Sequence, residues 1–219
     1  MSNIFKIFNP AKIELNNLET FLKKENLTYQ LSNNYYDYKL EIKGTFEKVD
    51  KLKDIFKNRL YLNGDKTFVE FFHDKILEAN FTLSGAESCT GGLIAKLITD
   101  TPGSSKYFKH SLITYSNDSK KIILNVSEET LKEKGAVSKG TVVEMLDGLL
   151  YIQMTNLIYA ISGLAGPDGD DNGNPVGTVF IGVMRNGIRE IEKYHFSGDR
   201  VEIRNKAAQQ LLWNLYKQL

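Results

Sequence analysis

In the later two thirds of the chain, runs with a helical period alternate with extended apolar runs. No other feature narrows the possible folds as much. "DKTFVEFFHDKIL" (65–77) has helical spacing, "FTLSGAE" (81–87) reads as extended, and "GGLIAKLITD" (91–100) is helical again. "HSLITYS" (110–116) is extended, "SKGTVVEMLDGLLYIQ" (138–153) helical, and "LIYAISGLAG" (157–166) and "VGTVFIGVM" (176–184) are two buried-looking strands. "IREIEKYHF" (188–196) adds a strand and "DRVEIRNKAAQQLLWNLYKQL" (199–219) a long closing helix. Strands alternating with helices predict α/β layering, with sites at the strand ends.

Glycine usage divides the chain. Only Gly44 and Gly64 fall within the first 65 residues, and the other fifteen of the 17 come later. The Asn-Gly-Asp turn in "LNGDKT" (62–67) then sets a boundary between residues 66 and 67. Residues 1–66 read as a small α+β module: "LNNLETFLKKEN" (15–26) and "FEKVDKLKDIFKNRL" (46–60) helical, "YDYKLEIKG" (36–44) a half-buried strand. The tyrosines of "NNYYDY" (33–38) fit a hairpin or strand end better than base stacking.

Composition excludes several classes of function. A net charge of +1 provides no global field to recruit nucleic acid or anionic membrane. One cysteine makes no internal disulfide, and His73, His110 and His195 lie far apart with no HxH or HExxH spacing, so no metal site is expected. No apolar run is long enough to span a bilayer, and "MSNIFKIFNPAKIEL" lacks the pattern of a secretory leader. A cytoplasmic protein without membrane contact is expected.

Four stretches could carry chemistry. In "GAESCTGGLIAKLITDTPGSS" (85–105), Ser88, Cys89 and Thr90 sit where a strand meets a helix. Free N–H groups and the helix dipole favour an oxyanion or phosphate there, and an ordinary N-cap fits the same residues. In "TYSNDSKKIIL" (114–124) Lys120 falls near a helix start, where partial burial would make it a base and full solvation would leave it a surface lysine. "ISGLAGPDGDDNGNPVGTV" (161–179) puts five glycines and two prolines between two apolar strands, as a ligand-binding loop or a structural Ω-loop. It has neither P-loop nor GxGxxG spacing. In "FSGDRVEIR" (196–204), Asp199 could cap the last helix, while Arg200 and Arg204 share a face suited to a phosphate or to a salt bridge.

Taken together, "AESCTGGLIAKLITDTPGSSKYF", "TYSNDSK", "GAVS", "SGLAGPDG", "PVGTV" and "FSGDR" resemble, in order and spacing, the CinA C-terminal domain family of nicotinamide-nucleotide amidases. The resemblance covers residues 67–219, about 70% of the chain, and residues 1–66 resemble the KH-like segment preceding this domain in CinA proteins. It implies a three-layer-type α/β amidase domain behind a small α+β (KH-like) domain. The implied reaction is hydrolysis of the carboxamide of nicotinamide mononucleotide to nicotinate mononucleotide and ammonia, without metal or cofactor, by a Ser/Lys pair in a homo-oligomer. Carried over by motif, Ser88 is the nucleophile and Lys120 its base, with Tyr115 and Ser105 in support. Substrate contacts fall on Thr90, Gly91, Gly92, Asn117, Gly163, Ala165, Gly166, Pro167, Gly177, Thr178 and Arg200. Asn174 departs from the family pattern, standing where members often carry lysine. Cys89 is the competing nucleophile by residue type.

Two other readings remain open from sequence: a nucleotide-binding or competence-associated protein without amidase activity, and an amidase acting on another small amide. Residues 1–66 contain no GxxG loop, and residues 1–65 hold 11 Lys/Arg against 9 Asp/Glu, so no nucleic-acid partner is expected.

Overall fold

The structure is a computed structural model describing residues 2–44, 46–152 and 155–219. The chain forms two compact units, Met1–Phe71 and Phe72–Leu219.

The first unit runs β1 (Ser2–Phe8), α1 (Lys12–Lys24), β2 (Tyr29–Asn34), β3 (Asp37–Lys43), α2 (Val49–Phe56), a 3-10 turn (Lys57–Arg59) and β4 (Leu60–Asn63). Its sheet has the order β2-β3-β1-β4, with all neighbours antiparallel. The resemblance implied a KH-like module, whereas this element and strand order is the split βαβ arrangement. Phe5 and Ile7 alternate inward from β1 to meet Leu18 and Leu22 of α1, Leu40 and Ile42 of β3, and Leu52 and Phe56 of α2. "NNYYDY" forms the hairpin between β2 and β3, with Tyr35 at φ 56°. Sequence reading missed β1, β4 and most of β2. β1 places Lys6 between its two core residues, and this lysine is buried against Asp37 at 3.3 Å. The unit extends past residue 66 because Phe68 and Phe71 pack on Tyr61, with centroids 5.1 and 5.0 Å apart.

α3 (Phe68–Glu78) leads into the second unit. There follow β5 (Leu83–Glu87), α4 (Leu93–Thr99), a 3-10 turn (Ser104–Lys106), β6 (Phe108–Ile113), α5 (Asn117–Leu124) and α6 (Glu128–Glu133). Next come α7 (Lys139–Ile152), β7 (Leu157–Gly163), β8 (Thr178–Arg185), β9 (Ile188–His195) and α8 (Arg200–Tyr216). Gln153, expected to end α7, lies outside the described residues. The sheet order is β6-β5-β7-β8-β9, with β5 parallel to both β6 and β7 and the remaining pairs antiparallel. Val142, Met145, Leu146 and Leu149 of α7 pack on Ile158, Ala160 and Met184 of one sheet face. The alternate residues Leu157, Tyr159 and Ile161 are buried too, and α8 lies against β7, β8 and α4, giving the three layers of an α/β fold.

The chain leaves β5 first for β6 on one side and then for β7 on the other. The carboxyl ends of these three parallel strands therefore share one edge, with Glu87 in register with Ile113 and Ile161. Such a reversal opens a crevice where ligands bind in α/β sheets. Gly85 allows the Tyr159 ring to lie across β5, since a Cβ there would come within 2.1 Å of that ring. Gly85→Ala is accordingly expected to lower stability by about 3 kcal/mol, read as a fall in the urea midpoint.

Candidate active site

Three chain segments leave the shared sheet edge and converge. After β5, Ser88 continues the pairing by donating its N–H to the Ile161 carbonyl at 3.0 Å, and Gly91 N–H then closes a tight turn onto the Ser88 carbonyl at 3.0 Å. After β6, Thr114 N–H bonds the Glu87 carbonyl at 2.9 Å, and the chain enters α5 through a capping box of Ser116 and Ser119. Lys120 is the fourth residue of α5. Side chains of a helix lean toward its N-terminus, so this one reaches back over the first turn.

There Lys120 Nζ lies 3.0 Å from Ser88 Oγ, 2.8 Å from the Thr114 carbonyl oxygen and 3.3 Å from that of Tyr115. Lys120 is 1% exposed and Ser88 7%. As an ammonium, Nζ spends all three protons on these oxygens. As a neutral amine, it keeps two N–H bonds for the carbonyls and turns its lone pair to the Ser88 hydroxyl. Burial lowers the Lys120 pKa from 10.5 to about 8, with the Cys89 thiol a smaller, opposing influence. Burial pushes the adjacent Cys89 thiol up to about 12, so it stays protonated near neutrality.

A cavity of about 230 Å³ opens over the pair, walled by Cys89, Tyr115, Ala136 and Val137, the Ser162–Ala165 segment and Arg200. A larger hollow of about 920 Å³ lies between α1 and α2, but its walls are mostly surface lysines and acids with no paired nucleophile. The smaller cavity is the one lined by Ser88 and Lys120.

The helix N-terminus expected to serve an oxyanion is already occupied. α4 begins only at Leu93, after Gly92 in a left-handed conformation at φ 90°. The wholly buried Glu87 carboxylate accepts from the N–H groups of Gly92, Ile94 and Ala95 at 3.0, 3.1 and 2.9 Å, and from the Ser111 hydroxyl at 3.0 Å. Gly92 therefore has no N–H left for substrate, and Gly91 has given its own to Ser88. Sequence reading passed over Glu87. Its signal was an acid one turn ahead of a helix start.

The remaining predicted residues separate into two groups. Gly163 and Ala165 line the cavity, as does Arg200, which donates to the Gly166 carbonyl at 2.6 Å and to the Tyr115 hydroxyl at 2.8 Å. Pro167 follows Gly166 through a cis bond. Thr90 is fully buried outside the cavity wall, and its Oγ1 has no partner among the described residues. Ser105 sits exposed on the 3-10 turn and Asn117 exposed at the start of α5, neither among the cavity's lining residues. Gly177 and Thr178 exchange backbone hydrogen bonds with Leu164 at 2.7 and 2.8 Å, so they hold the cavity wall from behind.

Asn174 is tied to its own loop and to two neighbouring segments: it donates to the Asp170 carboxylate at 2.9 Å and the Val137 carbonyl at 3.2 Å, and accepts from Lys193 at 3.1 Å. Asp199 caps α8 as expected, accepting from Glu202 N–H at 2.9 Å. Arg204 does not turn to a phosphate with Arg200. It donates to the carbonyls of Cys89 at 3.1 Å and Thr90 at 2.6 Å. Among the described residues, no group of three His, Cys, Asp or Glu side chains is arranged to hold a metal ion, and no helix is long and apolar enough to cross a membrane.

Comparison with known proteins agrees with this arrangement of strands and turns. The family model described as the CinA C-terminal domain matches residues 65–219. A CinA-like protein of Endomicrobium trichonymphae is 41% identical over 197 residues, covering 86% of this chain and 46% of its own length. One from Geotalea uraniireducens is 35% identical over 216 residues, covering 93% and 51%. The chain thus spans about half the length of these curated relatives. Among solved structures, the competence damage-inducible protein A of Klebsiella pneumoniae is 30% identical with a TM-score of 0.67, covering 69% of this chain and 94% of that one. A competence/damage inducible protein of Agrobacterium tumefaciens is 34% identical with a TM-score of 0.65, covering 71% and 98%. On the matched domain and these relatives, the chain belongs to the CinA C-terminal domain family.

Proposed function

We propose that this chain hydrolyses the carboxamide of nicotinamide mononucleotide, giving nicotinate mononucleotide and ammonia, with Ser88 as nucleophile and Lys120 as general base. One observation carries the reading: a buried amine with its pKa lowered to about 8 stands 3.0 Å from a serine hydroxyl at the floor of a cavity. A serine hydroxyl is a weak nucleophile until a base within hydrogen-bond reach takes its proton. Among the described residues the Cys89 thiol makes no hydrogen bond to a base, and burial raises its pKa, which favours Ser88.

In the first half-reaction, neutral Lys120 takes the Ser88 proton as Oγ attacks the carboxamide carbon. The carbonyl electron pair moves onto oxygen. When it returns, the C–N bond breaks, Lys120 gives its proton to the departing NH₂ group, and ammonia leaves an ester on Ser88. In the second, Lys120 takes a proton from water as the hydroxide adds to the ester carbon. Collapse then releases the acid and returns the proton to Ser88. The cavity takes the pyridine carboxamide, and Arg200 at its wall is the cation for the phosphate.

The test is to incubate the protein with nicotinamide mononucleotide and measure ammonia and nicotinate mononucleotide together. Equal amounts of both are expected. Tight binding of the nucleotide without either product would overturn the amidase reading and leave a binding protein. Faster turnover of an unrelated amide would overturn the substrate.

A further inference from the structure

We propose that Arg204 is a positioning residue for the oxyanion site and acts through the Cys89–Thr90 peptide. The inference rests on the reading of Ser88 as nucleophile. From Ser88 to Ala95, almost every backbone N–H is already committed. Ser88 donates to Ile161, Gly91 to Ser88, Leu93 to Thr90, and Gly92, Ile94 and Ala95 to the Glu87 carboxylate. Only the Cys89 and Thr90 N–H groups donate to no other residue among those described. They are therefore the two amides of the Ser88 turn left without an acceptor on another described residue, Cys89 in the cavity wall and Thr90 next to it and fully buried.

Their direction is set from the opposite side. A trans peptide is planar, so the N–H of one residue points away from the carbonyl of the residue before it. The Ser88 carbonyl is fixed by Gly91 N–H at 3.0 Å, which sets the plane carrying the Cys89 N–H. The Cys89 carbonyl is fixed by Arg204 Nε at 3.1 Å, which turns the Thr90 N–H away from α8. Arg204 Nη2 also holds the Thr90 carbonyl at 2.6 Å. The planar fork thus spans two successive carbonyls, a geometry that a lysine ammonium would meet at only one. Arg204 is in no ion pair with a carboxylate among the described residues, so its charge rests on this turn. A cation on a peptide carbonyl also polarises the amide and makes its N–H a better donor.

The probe is an alkyl fluorophosphonate. Ser88 Oγ displaces fluoride from phosphorus and gives its proton to Lys120, while the phosphoryl oxygen takes the place of the oxyanion. Labelling of the intact chain is followed by mass spectrometry across pH. Arg204→Gln is expected to label about 100-fold more slowly, the effect of losing one oxyanion donor. The pH midpoint should not move, because Lys120 is untouched. Arg204→Lys, with one carbonyl still held, is expected to fall about 10-fold below wild type. A folded Arg204→Gln within about threefold of the wild-type rate would overturn the inference, as would a shifted midpoint with full rate restored at high pH. If that variant does not fold, a folded Arg204→Lys at the wild-type rate overturns it equally. A wild type left unlabelled at Ser88 removes the nucleophile reading, and the inference with it. A wild type labelled at Ser88 that releases no ammonia removes only the substrate.

Discussion

Ser88→Ala is expected to lose ammonia release by about 10,000-fold or more while binding nicotinamide mononucleotide with nearly wild-type affinity. The size follows from the chemistry: without Oγ there is no covalent intermediate, and water must attack an unactivated amide directly. The affinity follows from the geometry, since Ser88 is one small part of a wall formed also by Arg200, Tyr115 and the Ser162–Ala165 segment. Cys89→Ala is the matched control. Its thiol is buried and its pKa is pushed up to about 12, so removing it should leave the rate within about threefold. Robust release by Ser88→Ala, or collapse in Cys89→Ala, would transfer the nucleophile to the thiol.

Lys120→Met is expected to cost about 1,000-fold in rate and to abolish the pH dependence of what remains. In the wild type, kcat/KM should rise with pH around a midpoint of about 8, because the neutral amine is the active form. The same ionisation couples to folding. Burial lowers the folded pKa to about 8, below the unfolded value of about 10.4. Between these values the unfolded chain holds a proton that the folded chain has lost, so stability rises with pH across that window. Below about pH 8 both forms hold the proton and this gradient is absent. Urea midpoints measured from about pH 7 to 10 should climb in the wild type, and more weakly in Lys120→Met. An activity midpoint near 10.5 would mean that Lys120 is an ordinary solvated lysine.

The sequence disclosed the strand–helix alternation of the second unit because its strands are long apolar runs and its helices have clear periods. β1 and β4 were hidden for a local reason: Lys6 interrupts one core strand, and β4 is only four residues long. The Ser88–Lys120 pairing could be anticipated from motifs, yet its geometry depends on something no motif states. β6 and β7 flank β5 in parallel, which brings two turns 32 residues apart to one edge. A strand-to-helix junction suggests free amides at the start of the helix. Glu87, the last residue of β5, had already taken them. Arg204 was read with Arg200 because they share a helix face, but that face meets the Ser88–Thr90 turn as well as the cavity. The two Arg204 contacts join residues more than 100 positions apart in sequence, and periodicity cannot show them.

The central claim is a covalent ester on Ser88. Acid quenching within the first turnover on nicotinamide mononucleotide, followed by peptide mass spectrometry, should find the nicotinoyl mononucleotide group on Ser88 and on no other residue. The same adduct on Cys89, or ammonia released in the burst without any adduct on Ser88, would contradict it.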